Sequence, residues 1–299
     1  MNHNKLLSIA NKIKSEVYFD YNIGKITWFR TGGNAKNFII AENSYELEII
    51  INEIKNDNYY IIGSGSNLLV RDKGYKGTII KLGPGFRSLN FVDDKIEVGA
   101  GTQDINLSNF AYKNNIKGFE FFSGIPGSIG GAIKMNAGCF GSETKELLHS
   151  IEIYNNNNER KIIKKHNLNL IYRSSNIPSR HVISKAYFNF EFGEKLTIKE
   201  KMQNIKKQRL YSQPIQNKTS GSTFKNPKNL FAAKLIEEAG CKGLKYGNAF
   251  VSEKHSNFLI NNGNATASDL ENLGKIIIDR VYSKFNIMLE WEIKIIGDQ

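Results

Sequence analysis

The chain has 299 residues and a formal net charge of +12, with 40% hydrophobic and 23% charged residues. That length buries a core in two or three domains, and the composition is ordinary for a soluble globular protein. No apolar run approaches the roughly 20 residues of a membrane span, and the opening MNHNKLLSIANKIKSE has no apolar stretch or cleavage site of a secretory signal. A cytoplasmic chain with no membrane partner is expected. The two cysteines, Cys139 and Cys241, form no CxxC and are too few for a disulfide framework, so both read as structural thiols.

In chain order, Leu6, Ile9, Ala10, Ile13 and Val17 share one face of a helix expected over 6–17. ITWFRTGGNA (26–35) turns at its paired glycines, and a short strand follows at 38–41. Ser44 is the expected N-cap of a helix over 45–55, with Leu47, Ile50, Ile51 and Ile54 inward. A buried strand at 59–62 runs into Gly63-Ser64-Gly65-Ser66-Asn67, and Leu68 opens the next strand, 68–71. This is not a Rossmann fingerprint, since Leu68 stands where the third glycine belongs, nor a P-loop, since no GK[ST] follows. A tight hairpin and an anion-binding nest both fit.

Short strands then alternate with turns over 77–101, and 106–114 is helical. GIPGSIGGAIKMNAG (124–138) follows, the densest glycine stretch in the chain, led in by Phe119, Phe121 and Phe122. Such turns converge successive backbone N–H groups on an anion, usually a phosphate. Two loops of this kind suggest a ligand with a pyrophosphate and a planar body, and a dinucleotide fits. Strands at 151–154 and 160–164 flank NNNNE as a hairpin, and a strand is expected over 181–192. A basic helix over 195–210 ends before Pro214, near a domain boundary. Beyond it come a helix over 231–239 stopped by Gly240, a strand over 251–260, a capped helix from Thr266 and a final strand over 288–296. Trp291, Ile293 and Ile295 alternate there with Glu290, Glu292 and Lys294. Many strands with few helices between them argue for an α+β fold rather than a doubly wound one.

The positive charge invites a nucleic-acid reading, but the lysines at 161–165 and 199–207 lie among Asn and Ile rather than among aromatics. No nucleic-acid partner is expected; a positive field also attracts phosphorylated small substrates. No histidine, cysteine or carboxylate set has metal-ligand spacing, so no metal is expected. Arg173 between Tyr172 and two serines, Ser222 in a Gly-Ser-Thr turn, and Glu292 on the last strand stand out. Singly, each also reads as a surface arginine, a turn serine or a solvated carboxylate.

Together, GSGSNLLV (63–70), GIPGSIGGAIKMNAG (124–138), YRSS (172–175), GSTFKNP (221–227) and EIKIIG (292–297) closely resemble the UDP-N-acetylenolpyruvoylglucosamine reductase family, in the family's order, from about residue 27 to 297. The resemblance implies an α+β fold: a two-part FAD-binding module of the PCMH-like flavoprotein type plus a C-terminal α+β substrate-binding domain. The parts would be 1–78, 79–196 and 197–299, with the last strand, 288–297, able to return to the first. It implies non-covalent FAD, NADPH as co-substrate, and hydride delivery from NADPH through the flavin to the enolpyruvyl methylene, giving UDP-N-acetylmuramate for peptidoglycan synthesis. Gly63, Ser64, Gly65, Ser66, Asn67, Leu68, Gly124, Ile125, Pro126, Gly127, Ser128, Gly130 and Gly131 would hold the cofactor. Ser222 matches the proton donor, Arg173 and Glu292 the groups polarising the enolpyruvyl carboxylate, and Tyr172, Lys225 and Asn226 the substrate contacts. Only the family motif prefers Glu292 to Glu290.

Arg173 and Ser222 are 49 positions apart, which resembles the family's short-loop branch, so no lid tyrosine is carried over. Lys294 stands where the family often has arginine. A monomer is expected. The competing readings are another FAD oxidoreductase of the same architecture and a basic nucleic-acid-binding protein without flavin.

Overall fold

Residues 3–299 are described in the computed structural model, with side chains from Leu6 onward. Two units can be distinguished. The first takes the chain up to Phe19, then Asn37–Ser64 and Gly77–Gln208; the second takes Asp20–Lys36, Gly65–Lys76 and Arg209–Gln299.

In the first unit, a four-stranded sheet has the order Glu16–Asn22, Asn34–Ala41, Tyr75–Leu82, Tyr59–Ile62. The last two strands pair in parallel, with Tyr59 opposite Thr78. Helix Ser44–Ile54 buries Leu47, Ile50, Ile51 and Ile54 completely. Each such side chain contributes about 1.5–3 kcal/mol by leaving water. The expected cap is displaced by one residue: Asn43, in extended conformation, accepts the Glu46 N–H at 3.0 Å, so Ser44 is the first helical residue.

The helix expected over 6–17 stops at Lys12, and Val17 lies in the strand Glu16–Asn22. The cause is tertiary. The Glu46 carboxylate accepts the Lys14 N–H at 2.8 Å and the Ser15 hydroxyl, which draws the chain out of the helix. Burial alone would raise the Glu46 carboxyl, but its hydrogen bonds together hold it below its ordinary value.

The rest of this unit is an antiparallel five-stranded sheet in the order Arg160–Lys164, Leu148–Tyr154, Val182–Phe188, Lys95–Gly99, Leu89–Val92. The expected Asn-rich hairpin is its edge, with Tyr154 opposite Arg160. The strand expected over 181–192 divides into Val182–Phe188 and Glu191–Phe192, and the latter pairs with Ile116–Lys117. Phe119, Phe122 and Phe188 form a fully buried aromatic knot, with Phe188 edge-on to both others.

The second unit packs helices Ala232–Glu238 and Ala267–Phe285 around a small antiparallel sheet, Lys245–Tyr246, Ala249–Val251 and Leu259–Asn261. The strand expected over 251–260 is thus two strands joined by a turn, in which the Ser252 hydroxyl accepts the Lys254 and His255 N–H groups. Thr266 and Asp269 form the expected capping box, and Asp72 accepts two further N–H groups of the same helix end, from Ala267 and Ser268. Phe29 and Leu69, far upstream in sequence, are fully buried in this unit's core.

The terminal strand is shorter than its pattern predicts. Lys294–Ile296 pairs in parallel with Leu68–Val70, while Trp291 makes a single bridge to Phe224. The alternation persists in burial, with Leu289 and Ile293 inside and Glu290 and Lys294 outside. Trp291 lies against the long helix at Gly274, where any Cβ would collide with the indole.

Candidate active site

In the first unit Gly63, at the head of the first glycine loop, lies against Ser128 of the second loop. A Cβ on Gly63 would meet the Ser128 hydroxyl, so a larger residue at this point of the first loop would have to displace that side chain. Gly65, which belongs to the second unit, turns the chain at φ +68°, and its carbonyl accepts the N–H of Trp28 in the same unit at 3.0 Å. The second loop is sewn to the segment 100–104. Ile129 N–H donates to Thr102 O at 2.9 Å, Gly130 N–H to Ala100 O at 2.8 Å and Asp104 N–H to Gly127 O at 3.2 Å. Ile125, Pro126, Gly127, Gly130 and Gly131 remain partly or fully exposed above this buried seam. Asp104 is wholly buried and, among the described residues, neither carboxyl oxygen has a partner. Desolvation pushes its carboxyl well above the usual range, which favours the neutral acid beside a loop suited to an anion.

The six-residue helix Ile129–Lys134 leads from the second loop to the Arg173 turn. Ile171 and Ser174 exchange backbone hydrogen bonds at 3.2 and 3.1 Å, leaving Tyr172 and Arg173 at the corner, with Arg173 at φ +53°. The turn is tied to the helix's C-terminal end: Ser175 donates to Lys134 O at 2.8 Å, and the Asn136 amide donates to Ile171 O at 3.1 Å. Asn136 is fully buried, and also donates to Glu143 and accepts from Lys145 N–H. The Arg173 guanidinium lies 4.9 Å from the Tyr172 ring centroid and donates to Gly138 O at 2.7 Å. One helix thus links the 124–131 loop to the residues of the YRSS motif.

In the second unit, Thr223 O accepts N–H bonds from Glu292 at 2.8 Å and Ile293 at 3.4 Å, and Lys225 N–H donates to Glu290 O at 2.8 Å. Ser222–Lys225 and Glu290–Glu292 therefore run side by side, with Phe224 and Trp291 rings 4.9 Å apart. Asn67 joins them: its amide donates to Glu292 O at 3.1 Å and its carbonyl accepts the Lys294 N–H at 3.0 Å. Ser222, Glu292 and Asn67, 225 positions apart at the extremes, are brought together here. Burial, then the nearby Lys225 ammonium, lower the Lys294 ammonium, and Glu292 opposes both effects. Lys225, Glu292 and Lys294 are one charged cluster.

Glu290 and Glu292 are now distinguishable. Glu290 is largely exposed and pairs with Lys225 at 3.0 Å; Glu292 is half-buried between Asn67 and Thr223. The Asn226 carbonyl accepts the first helical N–H, of Ala232, at 3.0 Å, so it serves as a cap as well as a candidate contact. Leu68 is buried at the start of its strand. Sequence reasoning missed Asn136, although it lies inside the 124–138 motif, and it missed Lys294's electrostatic role. Among the described residues no group of three or more His, Cys, Asp or Glu could hold a metal ion. Among those same residues no helix is long and apolar enough to cross a membrane.

Two family models match: an FAD binding domain over residues 35–161, and the C-terminal domain of UDP-N-acetylenolpyruvoylglucosamine reductase over 213–296. The UDP-N-acetylenolpyruvoylglucosamine reductase of Rickettsia conorii is 42% identical over 288 residues, covering 95% of this chain and 97% of its own length. That of Orientia tsutsugamushi is 40% identical, covering 96% of each. The solved reductase of Thermus caldophilus superposes with a TM-score of 0.82 at 31% identity, over 94% of this chain and 98% of its own. A glucose dehydrogenase matches with a TM-score of 0.51 over 64% of this chain and 45% of its own; at 11% identity, that likeness is one of fold. The α+β flavoprotein architecture expected from the motifs is therefore the one observed. The residues present fit FAD: Gly127, Gly130 and Gly131 leave a partly to fully exposed rim without side chains, of the kind that admits a diphosphate. The chain belongs to the UDP-N-acetylenolpyruvoylglucosamine reductase family, whose members are FAD-containing oxidoreductases.

Proposed function

We propose that this chain reduces UDP-N-acetylglucosamine enolpyruvate to UDP-N-acetylmuramate in peptidoglycan synthesis, with NADPH as reductant. The observation that carries this is the relationship of about 40% identity over nearly the whole of both chains to reductases of that name. Bound FAD supplies hydride transfer between the nicotinamide and the enolpyruvyl carbon. Gly63, Ser64, Gly65, Ser66, Asn67 and Leu68, with Gly124, Ile125, Pro126, Gly127, Ser128, Gly130 and Gly131, are the residues we assign to holding it.

The remaining work falls to named side chains. Arg173 supplies a fixed cation for charge developing on the enolpyruvyl carboxylate, and its bond to Gly138 O orients the guanidinium. Glu292 helps to polarise the same group, its backbone held by Thr223 and Asn67. The Ser222 hydroxyl gives a proton to the carbon beside the reduced methylene; serine is a weak acid, but an enolate-like carbon is a strong base. Tyr172, Lys225 and Asn226 bind the UDP-sugar, Lys225 as a point charge for diphosphate.

The parts 1–78, 79–196 and 197–299 are proposed as the functional partition: two flavin-binding and one substrate-binding. A cytoplasmic monomer is proposed, serving cell-wall growth and hence cell shape and division; light scattering at 33.8 kDa would support the monomer, and a larger mass would refute it. The decisive test is turnover. Purified protein should show a flavin spectrum, release the flavin on acid or heat, and turn over NADPH beyond one equivalent per flavin at a rate that depends on the enolpyruvyl substrate. Colourless protein that FAD cannot reconstitute, or oxidation indifferent to that substrate, would overturn the reading.

A further inference from the structure

The Ser222 turn is short, follows Gly221 at φ +77°, and is followed by two buried residues, Thr223 and Phe224. Both are held from one side by a single amide residue. Asn257 is 3% exposed; its Oδ1 accepts the Phe224 N–H at 2.9 Å and its Nδ2 donates to Phe224 O at 2.8 Å. Its own backbone carbonyl accepts the Thr223 N–H at 2.8 Å. The next two residues continue the contact: Phe258 bridges to Ser222, and Leu259 N–H donates to the Thr223 hydroxyl at 3.3 Å. From the other side, Thr223 O accepts the Glu292 N–H. Asn257 therefore grips the two residues that join Ser222 to the Glu292 segment.

We propose that Asn257 is the positioning residue of the Ser222 hydroxyl. The inference rests on the reaction proposed above, because it concerns the proton that Ser222 delivers. The chemistry requires asparagine. One residue's N–H and C=O are matched simultaneously by one donor and one acceptor at fixed spacing, as a neighbouring strand would match them. Aspartate keeps the acceptor and loses the donor; alanine loses both and leaves two buried backbone groups unpaired. A hydroxyl that transfers a proton to carbon tolerates little misplacement, and a shift of about 1 Å costs on the order of 100-fold.

The experiment uses the FAD-loaded full chain and rapid mixing. Asn257→Asp and Asn257→Ala should each slow flavin reoxidation by the enolpyruvyl substrate about 10- to 100-fold, while flavin reduction by NADPH stays within about two-fold. In a Ser222→Ala background the same replacements should change reoxidation less than about three-fold, since the hydroxyl they position is gone. Hydrogen exchange should show the Thr223 and Phe224 amides losing protection in both variants, a readout independent of turnover. Reoxidation unchanged in both variants, equal slowing of both half-reactions, or additivity with Ser222→Ala would overturn the proposal. So would failure of both variants to yield folded, flavin-loaded protein, which would make Asn257 a purely structural residue. Wild-type protein that the enolpyruvyl substrate does not reoxidise would instead refute the reaction itself, and with it the assignment to Ser222.

Discussion

The Arg173 turn and the Ser222 turn solve one problem in two ways. Each carries, on an irregular turn, a side chain that we assign to the proposed reaction, and each is gripped by a buried asparagine, Asn136 in the first unit and Asn257 in the second. They differ in where the left-handed backbone sits. Arg173 bears it itself, at φ +53°, whereas Gly221 bears it for Ser222, at φ +77°. A left-handed non-glycine residue costs on the order of 1–3 kcal/mol, so the first turn is kept by its anchors to Lys134 O and Ile171 O. A long guanidinium is aimed by its own bonds, here to Gly138 O, and tolerates a strained backbone. A hydroxyl has one rotatable bond, so its placement comes from the backbone alone. The second turn should therefore be the less forgiving of the two.

The largest effect expected is at Ser222 itself. Ser222→Ala should slow reoxidation by the enolpyruvyl substrate about 1,000-fold or more, while NADPH still bleaches the flavin at close to the normal rate. Ser222→Cys should recover part of the loss. Both half-reactions slowing together would mean that the serine shapes the loop rather than moves a proton, and would erase the contrast between the turns. Glu292→Gln comes next, with turnover lowered about 100-fold, because the carboxylate that acts on Lys294 loses its charge.

Arg173→Lys is expected to be milder, about ten-fold in kcat, because the charge is kept while the planar donor fork to Gly138 O is lost. A loss equal to that of Ser222→Ala would show that the first turn is no more forgiving than the second. Glu290→Gln should change KM about two- to three-fold at most, since its pair with Lys225 is exposed and such pairs contribute roughly 0–1 kcal/mol. If Glu290→Gln matched Glu292→Gln, the assignment of Glu292 would be wrong.

The smallest effect concerns pH. Burial lowers His255, whose Nδ1 accepts the Asn257 N–H at 3.3 Å, as only an unprotonated nitrogen can. Its folded value lies below its unfolded one, so the contribution to stability is complete above pH of about 6.5 and is lost as pH falls from there through the folded value. Thermal midpoints measured from neutral to mildly acid pH should decline below that point, and His255→Gln should flatten the decline. An unchanged slope would remove His255 from the support of the Ser222 turn.

Glycine density and motif order make both loops and the family legible in the sequence, because backbone freedom and close approach are written in residue type. Helix periodicity locates 267–285 and its capping box. It misjudges 6–17, since the stop signal is the Glu46 carboxylate, some thirty positions away. The choice between Glu290 and Glu292 is invisible to strand alternation, which places both on one face, and becomes visible only through the Lys225 pair and the Asn67 bond. Asn257 leaves no mark at all: a lone asparagine in a loop looks the same whether it faces water or completes a strand that is not there.

The parallel pairing of Leu68–Val70 with Lys294–Ile296 has a consequence for synthesis. The second unit's core includes Phe29 and Leu69, and the Arg71 guanidinium donates to Gly297 O, 226 positions later. At about 5–20 residues per second, a ribosome takes roughly 10–45 s to deliver that partner. During that interval Leu68–Val70 is a strand edge without its mate, while residues of the first unit are already available to fold. The nascent chain therefore has a defined window of vulnerability, which closes only when residues 294–297 have emerged.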